Sequence, residues 1–300
     1  SYAKVNLGVS ILCGHQVALK IYEKTKSTTE QAIKRIYAEM KILRRMSHPN
    51  IVNFIEIFET PARVFTVMEY VRGSDLLKLL INKGHFSEKR FRAILQQIVE
   101  GLEYIHGHKI LHRDVKLDNI LLSSAGKVKI CDFGISKKMR PGKLVFEHIG
   151  TPAYLAPEII LEAGYSGFAA DVWSLGVMSY MALTGKVPFK GNNIKELQQS
   201  ILHSKVVFPS KPALSSEMKR AIRGMLEKDP QRRFDLKEVV RILGFPAVIG
   251  PANKVNFMDE AIIQEIKSFG FDDAMIRKSL GCDDINHITA LYKLLKFKLN

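Results

Sequence analysis

The spacing of apolar positions changes along this chain, and the change divides it. Residues 4–22 suit two strands joined by a turn at Cys13-Gly14-His15. Residues 28–46 suit a helix, with Ile33, Ile36, Met40 and Leu43 along one face. Two more strand-like runs fall near 51–58 and 63–70. Beyond them the period becomes helical. Phe91, Ile94, Leu95, Ile98, Leu102 and Ile105 follow the spacing of an amphipathic helix. The run from Asp171 to Thr184 is apolar nearly all round, which predicts a central buried helix. Strands first and helices later predict an α+β architecture in two lobes. Glycines and prolines between Gly244 and Ala252 then break the periodicity. It resumes over 257–298 as three short helices, punctuated by Gly270 and Gly281. Ile262, Ile266 and Phe269 form one expected apolar face there. Ile288, Leu291, Leu294 and Leu295 form another.

Composition narrows the class. The chain has 300 residues, 46% of them hydrophobic and 25% charged, which is ordinary for a folded protein and argues against disorder. No apolar run approaches the ~20 residues that a membrane span needs. Cys13, Cys131 and Cys282 have neither metal-ligand spacing nor an even-numbered framework, so a reducing compartment is expected, cytoplasmic or nuclear. The net charge of +15 could suit nucleic acid or an anionic surface. The positive residues are scattered and no nucleic-acid motif accompanies them, so no nucleic-acid partner is expected.

The chemistry concentrates in a few short motifs. His112-Arg113-Asp114-Val115-Lys116-Leu117-Asp118-Asn119 is followed by Asp132-Phe133-Gly134 and then by Ala156-Pro157-Glu158. Val17-Ala18-Leu19-Lys20 lies upstream. In this order and spacing the set resembles the signature of eukaryotic protein kinases. The resemblance covers residues 1–245, as a small lobe over 1–70 and a large lobe over 71–245.

That resemblance implies a role for each residue. Asp114 would accept or orient the substrate hydroxyl proton, with Lys116 beside the transferring phosphate and Asn119 as a metal ligand. Asp132 would hold Mg²⁺ on the phosphates of ATP. Lys20 would contact the α- and β-phosphates, oriented by Glu39 on the following helix. Val5, Ala18 and Leu121 would line the adenine slot, Met68 its back wall, and Glu69 and Val71 the segment offering backbone groups. Asp75 would reach the ribose or a basic substrate side chain. Glu158 with Arg233 would form a buried ion pair, and Asp171 would hold the catalytic loop. Lys116 and Gly150-Thr151-Pro152 resemble the serine/threonine class, with protein substrates. Related kinases carry a phosphorylatable Thr four residues before Thr151; here that position is Glu147. No Ser or Thr occurs between Ser136 and Thr151. Glu147 is therefore expected to pair with Arg113 and supply the charge permanently.

The family glycine loop departs from its pattern. Counting back from Val5 places its third glycine at Ala3 and its aromatic tip at Tyr2. The expected fold is thus a kinase fold lacking the first strand of the small lobe, followed by a small three-helix domain. The chain is expected to be a fragment of a longer protein.

After a linker over 246–256, residues 257–298 resemble the ubiquitin-associated domain that follows the catalytic domain in AMP-activated and microtubule-affinity-regulating kinases. Phe269-Gly270-Phe271 and Thr289-Ala290-Leu291-Tyr292 carry the likeness. It implies docking on the kinase domain more than binding of ubiquitin. A pseudokinase scaffold and a ubiquitin reader are the rival readings.

Overall fold

The computed structural model describes residues 3–24, 30–139, 144–162, 164–165, 167–246, 258–282 and 286–299. The chain divides into two compact units. The first comprises Ser1–Ser47, Val52–Val71 and Pro251–Asn300, and the second His48–Ile51 and Arg72–Gly250.

The first unit opens with strands β1 (Ala3–Val9) and β2 (Gln16–Glu23), an antiparallel pair. Their turn closes through Ser10 N–H to the His15 carbonyl at 2.9 Å, with Gly14 at φ +68°, a conformation that costs glycine little. Helix α1 (Glu30–Leu43) follows, and buries Ile36, Met40 and Leu43. The side chain of Ile33 lies outside the described residues. Strands β3 (Phe54–Glu59) and β4 (Arg63–Glu69) complete an antiparallel sheet ordered β1-β2-β4-β3. Register decides what each face carries. Lys20 lies between Val5 and Thr66, and Ala18 between Leu7 and Met68. Side chains alternate along a strand and match across it, so Val5, Ala18, Lys20 and Met68 share one face. Val17, Leu19 and Val67 share the other.

The second unit is mainly helical. It contains β5 (Gly73–Asp75), α2 (Leu76–Lys83) and the long α3 (Glu88–Gly107). Ser87 caps α3 by accepting from Arg90 N–H at 3.4 Å, and the stripe from Phe91 to Ile105 is buried as its spacing predicts. Short strands β6 (Ile110–Leu111), β7 (Ile120–Ser123), β8 (Val128–Ile130) and β9 (Lys137–Lys138) frame the loops between them. Helices α4 (Pro157–Ile160), α5 (Gly167–Thr184), α6 (Ile194–His203), α7 (Ser216–Met225) and α8 (Leu236–Leu243) follow. Trp173, Leu175, Val177 and Met178 of α5 are fully buried, as expected of a helix apolar all round. One strand boundary differs from expectation. The strand expected from residue 51 begins at Phe54, because His48–Ile51 pair with the second unit. Ile130 N–H donates to the Asn50 carbonyl at 2.8 Å, and Asn50 Nδ2 donates to the Val128 carbonyl at 3.2 Å.

The chain then returns to the first unit as α9 (Glu260–Ser268), α10 (Asp273–Gly281) and α11 (His287–Leu299). The expected linker over 246–256 falls, past Pro246, outside the described residues, as does Phe257. The three helices share a core of Ile262, Ile263, Ile266, Ile276, Ile288, Leu291 and Leu295. Leu294 does not belong to it. With Ala290, Leu294 packs on Val17, Ile55 and Val67, on the sheet face opposite Lys20. Helix α11 therefore has two apolar faces, 288/291/295 inward and 290/294 against the sheet. Lys293 Nζ reaches the Phe54 carbonyl at 3.3 Å and lies 5.6 Å from the centre of the Phe54 ring. Burial pushes the Glu56 carboxyl up, opposed by the charges of His287 and Lys293. No described helix is long and apolar enough to cross a membrane.

Candidate active site

The loop between β6 and β7 gathers the polar groups of the second unit. Asp114 is its centre. Its Oδ2 takes Lys116 Nζ at 2.9 Å, and its Oδ1 takes the Thr151 hydroxyl at 2.8 Å. Lys116 Nζ also donates to Thr151 Oγ1 at 3.0 Å, which closes a triangle of carboxylate, ammonium and hydroxyl. Asn119 Nδ2 donates to the Asp114 carbonyl at 2.8 Å and to Asp114 Oδ2 at 2.9 Å. Both amide protons are thereby used, and the amide oxygen is left as the group for a cation. Asp114, Ile149, Gly150, Thr151 and Tyr154 line a small pocket around this triangle.

The loop is held from beneath. Asp171, on α5, accepts from His112 N–H at 2.9 Å, Arg113 N–H at 2.8 Å and His106 Nε2 at 2.8 Å. Burial pushes the Asp171 carboxyl up, but the interactions with His106 and with His112 outweigh it and hold it below the usual value. The loop needs such support because Arg113 has φ +66°, a left-handed conformation that is strained for an arginine. Asp132 has φ +61°, where Asp is better tolerated, and accepts from Gly134 N–H at 3.3 Å.

Glu147 bridges two cations. Arg113 Nη1 lies 2.8 Å from its Oε2 and Lys137 Nζ 2.6 Å from its Oε1. Partial burial pushes the Glu147 carboxyl up, yet the Lys137 bond and the Arg113 charge together hold it below the usual carboxylate value. Its backbone carbonyl accepts from the Tyr165 hydroxyl at 3.0 Å, and Val145 pairs with Tyr165 through two backbone bonds. Glu158 and Arg233 form a bidentate pair at 2.7 and 2.8 Å, both side chains nearly inaccessible to solvent.

In the first unit, Lys20 Nζ and Glu39 Oε1 are 2.8 Å apart and both side chains are buried. Tyr22 adds a bond that motif reading had not singled out, its hydroxyl donating to Glu39 Oε2 at 2.9 Å. Residues of one strand two apart share a face, so Tyr22 was visible in principle from its distance to Lys20. The expected adenine contacts of this unit lie on the Lys20 face: Val5 exposed, Ala18 half-buried, Met68 buried. Glu69 Oε2 is engaged by Asn53 Nδ2 at 2.7 Å, and Val71 is half-buried just past β4. In the second unit Leu121 is half-buried on β7, and Asp75 caps α2 by accepting from Lys78 N–H at 2.8 Å. That cap gives Asp75 a structural task beside the expected one. Tyr2, the expected aromatic tip of the glycine loop, lies outside the described residues, and Ala3, at its third glycine position, begins β1.

The donor set fits a magnesium nucleotide. Asn119 and Asp132 offer an amide oxygen and a carboxylate. No group of three or more His, Cys, Asp or Glu among the described residues could hold a metal alone. Mg²⁺ suits such a sparse set, because it keeps waters and borrows phosphate oxygens.

These features define a protein kinase catalytic domain, and a model of the protein kinase domain matches residues 1–242. The chain belongs to the protein kinase family. Among its relatives, rice serine/threonine protein kinase OSK4 (Oryza sativa subsp. indica) is 34% identical over 304 residues, covering 98% of this chain and 59% of the relative. Rice serine/threonine protein kinase OSK3 (subsp. indica) has the same identity and coverage. The SNF1-related protein kinase catalytic subunit alpha KIN12 of Arabidopsis thaliana is 35% identical over 307 residues, covering 98% of this chain and 61% of the relative. The chain thus spans 59–61% of the length of these curated relatives. The family generally uses ATP and Mg²⁺.

Proposed function

We propose that this chain transfers the γ-phosphate of ATP to serine or threonine hydroxyls of protein substrates. The observation that carries the reading is the triangle of Asp114, Lys116 and Thr151, with Asn119 bonded to the same aspartate. A substrate hydroxyl entering this pocket would meet Asp114 as the group that orients its proton. Thr151 now makes that kind of bond, hydroxyl to Oδ1. Lys116 supplies positive charge where the phosphoryl group arrives. Asp132 and Asn119 would hold Mg²⁺, which supplies charge neutralisation on the phosphates. Lys20, held by Glu39, would contact the α- and β-phosphates. An intact set of these residues favours an enzyme over a pseudokinase scaffold. The test is transfer of radiolabelled γ-phosphate to a peptide array. Failure on every Ser and Thr peptide, with nucleotide bound, would leave the scaffold reading.

Glu147 is proposed to give the activation segment its negative charge without phosphorylation. The support is its paired contacts with Arg113 and Lys137. A carboxylate carries one charge against ~1.5–2 for a phosphate, so the ordering should be real but weaker. Because its pKa is depressed in the fold, the contribution should be present above its ordinary value of 4.5 and be lost only as pH falls through the lower folded value. Segment order should therefore hold across neutral and mildly acidic pH. Glu147→Gln is expected to lower kcat/KM several-fold, and Arg113→Ala to add little in the double variant. Steady-state kinetics on the four proteins check this. Full activity in Glu147→Gln would sink the idea.

Residues 257–298 are proposed to act as a ubiquitin-associated-like module that tunes the kinase from the sheet face opposite Lys20. The support is the packing of Ala290 and Leu294 on Val17, Ile55 and Val67. Leu294→Asp puts a charge into that contact, at a cost of several kcal/mol unless the helix detaches. Cys13, which packs against both apolar clusters, should then react faster with a thiol reagent, read by mass spectrometry. Activity should change with it. Unchanged kinetics alongside exposed Cys13, with ubiquitin bound by the module, would favour the ubiquitin-reader reading.

A further inference from the structure

We propose that Tyr22 is a positioning residue for Lys20, fixing the Glu39 carboxylate so that the lysine is set for the nucleotide before it arrives. The inference rests on the kinase reading above. Lys20 and Tyr22 stand two residues apart on β2 and so project from the same face. Glu39, on α1, answers both. Its Oε1 faces the ammonium at 2.8 Å and its Oε2 accepts the phenolic hydroxyl at 2.9 Å. The ammonium also lies 5.4 Å from the centre of the Tyr22 ring, within range of a cation–π attraction.

The geometry differs from that of a simple ion pair. A carboxylate held through one oxygen can rotate about its last bond, and α1 can shift with it. Here each oxygen is held from the same strand, so the plane of the carboxylate is fixed and α1 is tied to β2 at two points. The hydroxyl is a charge-assisted donor, which makes the bond stronger than one between neutral groups. It stays protonated at any working pH. Burial raises the Tyr22 pKa, the Glu39 charge adds to the rise, and only Lys20 opposes it. A tyrosine there merely to fill space would need some partner for its hydroxyl. Here that partner is Glu39, the carboxylate that pairs with Lys20 at 2.8 Å, a choice with consequences for nucleotide binding.

Tyr22→Phe separates the two roles. It keeps the ring, its packing and the cation–π contact, and deletes only the donor. The experiment measures the Kd of Mg-ATP by calorimetry, and KM and kcat for ATP with a fixed peptide, on the full chain. Wild type, Tyr22→Phe, Glu39→Gln and the double variant are compared, each with its melting temperature. We expect Mg-ATP to bind Tyr22→Phe about ten-fold more weakly, as losing a charge-assisted bond allows. The double variant should be no worse than Glu39→Gln alone, because the hydroxyl acts through the carboxylate. Overturning results are a Kd and KM unchanged in Tyr22→Phe, a lower melting temperature with unchanged nucleotide binding, or losses that add in the double variant. If the wild-type chain binds no Mg-ATP, the kinase reading fails and this proposal with it. If wild type binds and Tyr22→Phe binds equally well, only the role of Tyr22 fails.

Discussion

Asp132→Asn is expected to lower turnover at least about a hundred-fold while leaving the fold intact. Loss of one preorganised electrostatic partner of a transition state typically costs that much or more. The substitution is selective for a structural reason. Asp132 has φ +61°, and asparagine tolerates this left-handed region nearly as well as aspartate does. Asparagine also keeps an Oδ1 for the Gly134 N–H bond that turns the chain. What disappears is one negative charge at a proposed Mg²⁺ ligand. Phosphoryl transfer depends almost wholly on positioning and charge neutralisation, so the chemical step should carry the loss. Circular dichroism and the melting temperature should stay near wild type while radiolabel transfer falls to background. Near-normal transfer would refute the assignment of Asp132. An unfolded variant would point to a structural role instead.

Much of the site was legible because its parts lie close in sequence. Asp114, Lys116 and Asn119 sit on one short segment that the family resemblance had marked, and the fold bonds both Lys116 and Asn119 to the same aspartate. The long-range partners could be matched only through the family resemblance, which paired Asp171 with the catalytic loop and Glu158 with Arg233. What stayed hidden depends on contacts that neither motif order nor period encodes. Lys137 was an ordinary surface cation until the fold brought its Nζ to 2.6 Å from Glu147. His106 closes the apolar stripe of α3, and nothing local indicates that it will meet Asp171. The last helix shows the same limit in its packing. Helical period groups Leu294 with Leu291 and Leu295, yet the structure sends it to the sheet. Period says that a helix has apolar faces. Only the partner surfaces say which residue each face serves.

Breaking the Glu158–Arg233 pair should destabilise the second unit by about 3–5 kcal/mol, the usual cost of leaving one buried charge without its partner. The guanidinium is wholly inaccessible, and its other bonds go to backbone carbonyls. Nη1 donates to Ala169 at 2.9 Å and Nε to Glu227 at 2.9 Å, while the ring of Trp173 lies 5.1 Å from Cζ. These dipoles solvate the cation but cannot neutralise it. Arginine does not give up its proton in proteins, so Glu158→Gln leaves a permanent buried charge with no escape. Arg233→Met leaves a carboxylate instead, and a carboxylate can take up a proton. The two variants should therefore differ in their dependence on pH. Arg233→Met should lose less stability in mild acid than at pH 7, whereas Glu158→Gln should show no such recovery. The double variant, Gln beside Met, buries no charge and should be less damaged than the sum of the two singles. Urea unfolding at pH 5.5 and pH 7.5 measures all three. Equal losses at both pH values in Arg233→Met, or strict additivity, would show that packing around Trp173, and not charge pairing, holds α4 to the segment after α7.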